Sequence, residues 1–158
     1  MLRRATTTAL ATACALIAGT LAVTADPLKT YSKKGSFDDV TADVSAAIIA
    51  KGQTVDYRGN LGAKLDRTGK DVGSDKKIYK SAEYVTFCSA VLSRAMMEAD
   101  SGNMGYCPYV VFYYEAADKP GEVVVGYRRP GEGKSDASKA ALKNIDDLLD
   151  GIVKAATK

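Results

Sequence analysis

The chain has 158 residues, with 22 Lys or Arg against 19 Asp or Glu and a formal net charge of +3. It contains no histidine, which excludes a Ser-His-Asp triad, a His-ligated zinc centre and a His-ligated haem. The length suits one domain with one core, and the near-balanced charge lacks the basic excess that marks nucleic-acid-binding domains.

Arg3 and Arg4 form a positive start, followed by an uncharged apolar stretch from residue 5 to residue 23. Val23, Thr24 and Ala25 match the small-residue pattern cut by signal peptidase, so residues 1–25 read as a signal peptide and Asp26 as the mature N-terminus. A membrane anchor is the competing reading. The stretch is rich in Ala and Thr, however, which insert less readily than Leu or Phe. Cys14 lies well inside the stretch, whereas a lipidated cysteine would close it. Cleavage removes two Arg and no acid, leaving 20 basic and 19 acidic residues. Residues 26–158 are therefore expected to be a single domain, periplasmic or secreted, with no membrane association after cleavage and no nucleic-acid partner.

The first expected element of that domain is a strand over residues 28–33, ended by Lys34 and Gly35. Ser36 is a good N-cap, with Asp38 and Asp39 placed where a helix dipole favours anions. Phe37, Val40, Val44, Ala47 and Ile48 recur at helical spacing, and Gly52 closes the helix. A short strand is expected from Thr54 to Arg58. Residues 60–75 read as a charged, solvated connection in which Leu61 and Leu65 suggest one or two helical turns. Residues 82–88 (AEYVTFC) form a strand. Ser89 then caps a helix over residues 90–99 with Val91, Leu92, Ala95 and Met96 on its buried side. After a break at residues 100–103 comes a long strand, residues 106–115 (YCPYVVFYYE). The turn DKPGE leads to a partner strand over residues 123–128, an antiparallel hairpin. The last helix runs from Asp136 to about Ala156, with Leu142, Ile145, Leu148, Leu149, Ile152 and Val153 as its apolar stripe. These elements predict an α+β fold: a single, mainly antiparallel sheet with helices packed on one face.

The segments FDDVTADVSAAIIAKG, KSAEYVTFCSA, FCSAVLSRAMMEAD, YCPYVVFYYE and VVVGYRRP, together with the last helix, resemble the bacterial and archaeal family called domain of unknown function 302. The resemblance spans residues 30–155. It implies a curved antiparallel sheet with helices on one side, similar to the TATA-binding-protein arrangement. Many members carry one Cys where a strand passes into a helix and a second at the start of the next strand. Cys88 and Cys107 match those positions. Here Ser89 and Ala90 replace the frequent Asn-Pro, and Pro108 follows the second Cys instead of preceding it. The family brings no assigned activity, so the resemblance implies a fold and no mechanism.

Cys88 and Cys107 are the first candidate site, with three fates open. A disulfide suits an oxidising compartment; a thiol pair near Met96, Met97 or Met104 suits a soft ion such as Cu(I); separately buried thiols behave as small apolar residues. Antiparallel strands would bring the two sulfurs to one end of the sheet, and parallel strands would part them. Tyr109, Tyr113 and Tyr127 are the second candidate, ligand-binding aromatics on an uncovered sheet face, set against plain core packing. Tyr109 and Tyr113 share one strand face, and Val110, Phe112 and Tyr114 share the other. Arg128, Arg129 and Lys134 in RRPGEGKS suggest an anion-holding loop, but the spacing of a P-loop is absent. The pairs Asp38 and Asp39, and Asp146 and Asp147, fall on polar helix faces and carry no acid–base signature. No catalytic residue and no cofactor is assigned. The reading that follows is a binding domain for a small molecule or protein partner, with thiol redox or copper handling through Cys88 and Cys107 as the alternative.

Overall fold

The computed structural model describes residues 26–158; the signal peptide expected at residues 1–25 lies outside the described residues. Five strands form one open sheet: β1 (Leu28–Lys34), β2 (Tyr57–Asn60), β3 (Tyr79–Phe87), β4 (Tyr109–Ala116) and β5 (Glu122–Arg128). Their order is β1-β5-β4-β3-β2 and each pairing is antiparallel. Four helices accompany them, α1 (Phe37–Ala50), α2 (Leu61–Thr68), α3 (Ala90–Ala99) and α4 (Asp136–Ala156). The predicted α+β class, antiparallel sheet and order of elements all hold.

Local chemistry sets the helix starts. The hydroxyl of Ser36 accepts from the Asp39 amide at 3.1 Å, and that of Ser135 accepts from the Ser138 amide at 3.1 Å. Each cap satisfies one of the amides that a helix N-terminus leaves without an internal partner. Apolar periodicity does the rest. Val40, Val44 and Ile48 of α1 and Leu142, Ile145, Leu149, Ile152 and Val153 of α4 are all buried. They meet Val85, Phe87, Val111, Val123 and Val125 from one side of the sheet in a single core. Burial of each such side chain contributes roughly 1.5–3 kcal/mol.

Several boundaries differ from expectation for identifiable reasons. β2 begins at Tyr57 because its ladder partner ends close by; Tyr57 pairs with Thr86, and of the preceding residues the Asp56 amide still reaches the Thr86 carbonyl at 2.8 Å. β4 begins at Tyr109, opposite Phe87, and the residues before it, Ser101–Tyr106, wind as a 3-10 turn. α2, with eight residues and about two turns, matches the one or two turns the sequence suggests, and the Asn60 side chain caps it, accepting from the Ala63 amide at 2.8 Å. α3 buries Ser93 and Met96, while Val91 is 78% exposed. Of its expected inner face, Met96 is buried and Leu92 packs against the core, whereas Val91 and Ala95 are corrected to exposed positions. Ser89 starts the helix immediately after the strand, and this phase turns positions 89, 93 and 96, rather than 91 and 95, toward the core.

Candidate functional site

With α1, α3 and α4 on one side of the sheet, the other side is open except at Ala82 of β3, which is buried against Gly62 of α2. The period of two along each strand decides which residues it presents. Leu28 and Thr30 of β1, Val124 and Arg128 of β5, Val110, Phe112 and Tyr114 of β4, Tyr84 of β3 and Tyr57 of β2 all share it by register. Leu28 is 46% exposed and Tyr57 is 57% exposed. Two glycines shape the surface. At Gly126 a Cβ would lie 2.7 Å from both the Phe112 ring and the Thr30 methyl, and at Gly59 it would enter the Tyr84 ring. Both rings therefore lie down over backbone, filling the gap a strand glycine leaves. Phe112 runs nearly parallel to Tyr114, at 14° with ring centroids 6.4 Å apart. Tyr114 also meets Tyr79 at 5.3 Å. The result is an aromatic floor, and Lys76, Lys77 and Asp118 line the same hollow as Phe112 and Tyr114.

Tyr109, Tyr113 and Tyr127 do not line this floor. They point to the helix-covered side and are essentially buried, so their placement on an uncovered face is corrected. The phenol hydroxyls explain why buried tyrosine is tolerated, since each finds a partner. Tyr109 shares a hydrogen bond with the Ser93 hydroxyl at 2.9 Å. Tyr113 donates to Glu83 at 3.0 Å and takes a short hydrogen bond from Arg58. Tyr127 donates to Asp146 at 2.9 Å. Burial raises the pKa of all three, that of Tyr113 to about 12 with further help from Glu83. Both faces of β4 are aromatic, so alternation alone leaves the covered face undecided.

The cysteines come together. β3 and β4 are antiparallel with Phe87 opposite Tyr109, so Cys88, just after one strand, and Cys107, just before the other, share an end of the sheet. Their sulfurs are at bonding distance, with the Cα atoms 6.4 Å apart. The Ser93 hydroxyl lies 3.8 Å from the Cys107 sulfur and links the pair to Tyr109. The three residues of the RRPGEGKS loop are not brought together. Arg129 is engaged by Asp146 at 2.9 Å, whereas Arg128 stands on the uncovered face and Lys134 lines a separate hollow with Glu132.

A polar cluster between α4, β1 and β5 escaped the sequence reading. Asp146 receives Arg129 and Tyr127, and Asp150 receives Lys29 at 2.8 Å, Lys154 at 2.8 Å and the Tyr31 hydroxyl at 2.7 Å. Burial by itself raises both carboxyls, but these donors outweigh it and hold both below the usual carboxylate range. Helical spacing places Asp146 and Asp150 four residues apart; only the tertiary fold supplies their basic partners. The cluster clamps the last helix to the sheet.

One end of the uncovered face is forked. β4 and β5 pair from Val111–Tyr127 onward, but Val110 pairs only with β3 and Arg128 only with β1. The strands part there, and a cavity of about 190 Å³ opens between them. Leu28, Val110, Phe112 and Pro130 line its sides, and Ile145 and Leu149 of α4 line it as well.

An open antiparallel sheet with helices on one face and a disulfide-distance cysteine pair at one end defines an open-faced α+β domain. The profile of the family described as Domain of unknown function DUF302 matches residues 28–156, and the chain belongs to that family. A crystal structure of an uncharacterized conserved DUF302 protein from Bacillus stearothermophilus superposes with a TM-score of 0.70 at 14% identity, covering 85% of this chain and all of that one. At that identity the likeness concerns the fold. Among curated proteins no significant match exists.

Proposed function

We propose that this protein is an exported, non-catalytic binding domain that takes a small ligand or protein partner on the uncovered face of its sheet. The observation that carries the reading is the aromatic floor around Phe112 and Tyr114. Contiguous apolar surface that a domain leaves uncovered marks interaction sites. Export is supported by the leader sequence and by the cysteine pair at bonding distance, since disulfides persist in oxidising compartments. Among the described residues no helix is long and apolar enough to cross a membrane.

The test has two parts. The dye 1-anilinonaphthalene-8-sulfonate should bind the folded protein saturably, and a Phe112→Ser, Tyr114→Ser double variant should lose more than half of the enhancement while remaining folded by circular dichroism. Equal enhancement in both proteins sinks the assignment of the face. For export, the mass of protein recovered from the periplasmic or culture fraction should correspond to a start at Asp26; a full-length mass in the membrane fraction overturns it.

A second reading, thiol redox or soft-metal handling, is supported by the proximity of the Cys88 and Cys107 sulfurs beside the start of α3. It requires a bond that mild reductant opens. Free-thiol counts before and after glutathione treatment, followed by Cu(I) titration of the reduced protein, decide it: a bond that resists the reductant ends this reading.

A further inference from the structure

We propose that the fork between β4 and β5 is a binding site for a small carboxylate with a single-ring or short-chain apolar body. The inference deepens the reading of the uncovered face as a binding surface and rests on it.

The fork is a product of register. Tyr109 and Val110 stay with β3, Arg128 stays with β1, and the gap between them is closed by the apolar side chains Ile145 and Leu149 of α4. An apolar cavity of roughly 150 Å³ in a protein interior is dry and accepts a benzene-sized molecule. At about 190 Å³, with a lining of Leu28, Val110, Phe112 and Pro130, the fork has room for one ring and little more.

Charge supplies the second half of the recognition. Arg128 lines the same cavity and is solvent-exposed, and among the described residues its guanidinium has no ion-pair partner. The adjacent Arg129 is already committed to Asp146. A guanidinium with free donors beside an apolar slot matches a carboxylate in planar, two-pronged fashion. Tyr106 also lines the fork and adds a hydroxyl. The Tyr109 hydroxyl, by contrast, is occupied by Ser93. The ligand this chemistry selects has one anionic end on Arg128 and an apolar end directed at Ile145 and Leu149. The cysteine bridge holds the segment that carries Gly105, Tyr106 and Pro108, so one wall of the slot is fastened to the end of β3.

Benzoate is the probe and benzyl alcohol its uncharged counterpart, followed by amide chemical shifts of the folded, oxidised protein. Benzoate should move the amides of Tyr106, Val110, Phe112 and Arg128. Arg128→Gln should weaken benzoate by about tenfold or more, the scale of a lost charge-assisted hydrogen bond, and leave benzyl alcohol within about twofold. Val110→Trp, which fills the slot from its exposed side, should abolish binding of both. Benzoate affinity unchanged in Arg128→Gln overturns the proposal, as does an absence of shifts at the fork. Shifts confined to Tyr57, Tyr79 and Tyr84 overturn the fork site while leaving the broader face reading in place. If no amide on the face moves, the fork site falls, and the face reading is judged separately by its own dye test.

Discussion

Buried tyrosines in this protein are held by what their hydroxyls reach: Ser93 for Tyr109, Glu83 for Tyr113 and Asp146 for Tyr127. Asp146 and its neighbour Asp150 shape the response to acid, and Tyr113 the response to alkali. Asp146 and Asp150 have folded pKa values below their unfolded ones. The unfolded chain thus binds more protons in acid, and the stability these carboxylates contribute is complete above about pH 4 and is lost as pH falls further. Asp150→Asn should flatten the decline seen in urea titrations between pH 5 and pH 2; an unaltered slope would remove Asp150 from the account. At the alkaline end the sign reverses. Tyr113 ionises near pH 10 in the unfolded chain and about 12 in the folded one, so stability is full below pH 10 and falls as pH rises through that range. The aromatic residues were visible in the sequence; their orientation was not. Tyr109, Val111 and Tyr113 alternate with Val110, Phe112 and Tyr114, and both sets are apolar enough to be buried. The partners Ser93, Glu83 and Asp146 that settle the matter come from elsewhere in the chain.

Among the elements, α1 and α4 were the most legible. In α1 a serine cap, acidic residues in the first turn and an apolar stripe all agree, and in α4 the stripe is long enough to stand alone; agreement across such signals is what makes an element readable from sequence. α2 and β2 were less so, because a four-residue strand and an eight-residue helix carry too few apolar repeats for periodicity to work on. The fork and the Asp146–Asp150 cluster were invisible, since both depend on register between distant strands. Two predictions belong to this scale. The Cys88–Cys107 bridge encloses α3 and the 3-10 turn with a sequence separation of 19. A Cys88→Ser, Cys107→Ser double variant should therefore lose about 3 kcal/mol in urea unfolding, the chain-entropy value for a loop of that size. A loss below about 0.5 kcal/mol, the scatter of ordinary surface substitutions, would mean the bridge is not a brace. Gly126→Ala should cost roughly 1–3 kcal/mol, because the added Cβ lies 2.8 Å from the Lys29 carbonyl as well as against the Phe112 ring. Unchanged stability would show that β1 and Phe112 give way freely.

At the scale of the whole molecule, one core joins α1, α3 and α4 to a single side of the sheet. Nothing in that arrangement supports separate folding of its halves. Near-ultraviolet and far-ultraviolet circular dichroism should therefore report one coincident urea transition for the oxidised protein. Two separated transitions would contradict the single-core description. The pairing of β1 with β5 reaches from the first strand to the last. A polypeptide emerging N-terminus first has no strand to pair with its opening strand until β5, residues 122–128, has left the ribosome, and the helix that seals the core follows later still. Long-range pairing of this kind forms slowly. The nascent chain stays threadable until synthesis is nearly over, the state that the proposed export through a secretion pore would require.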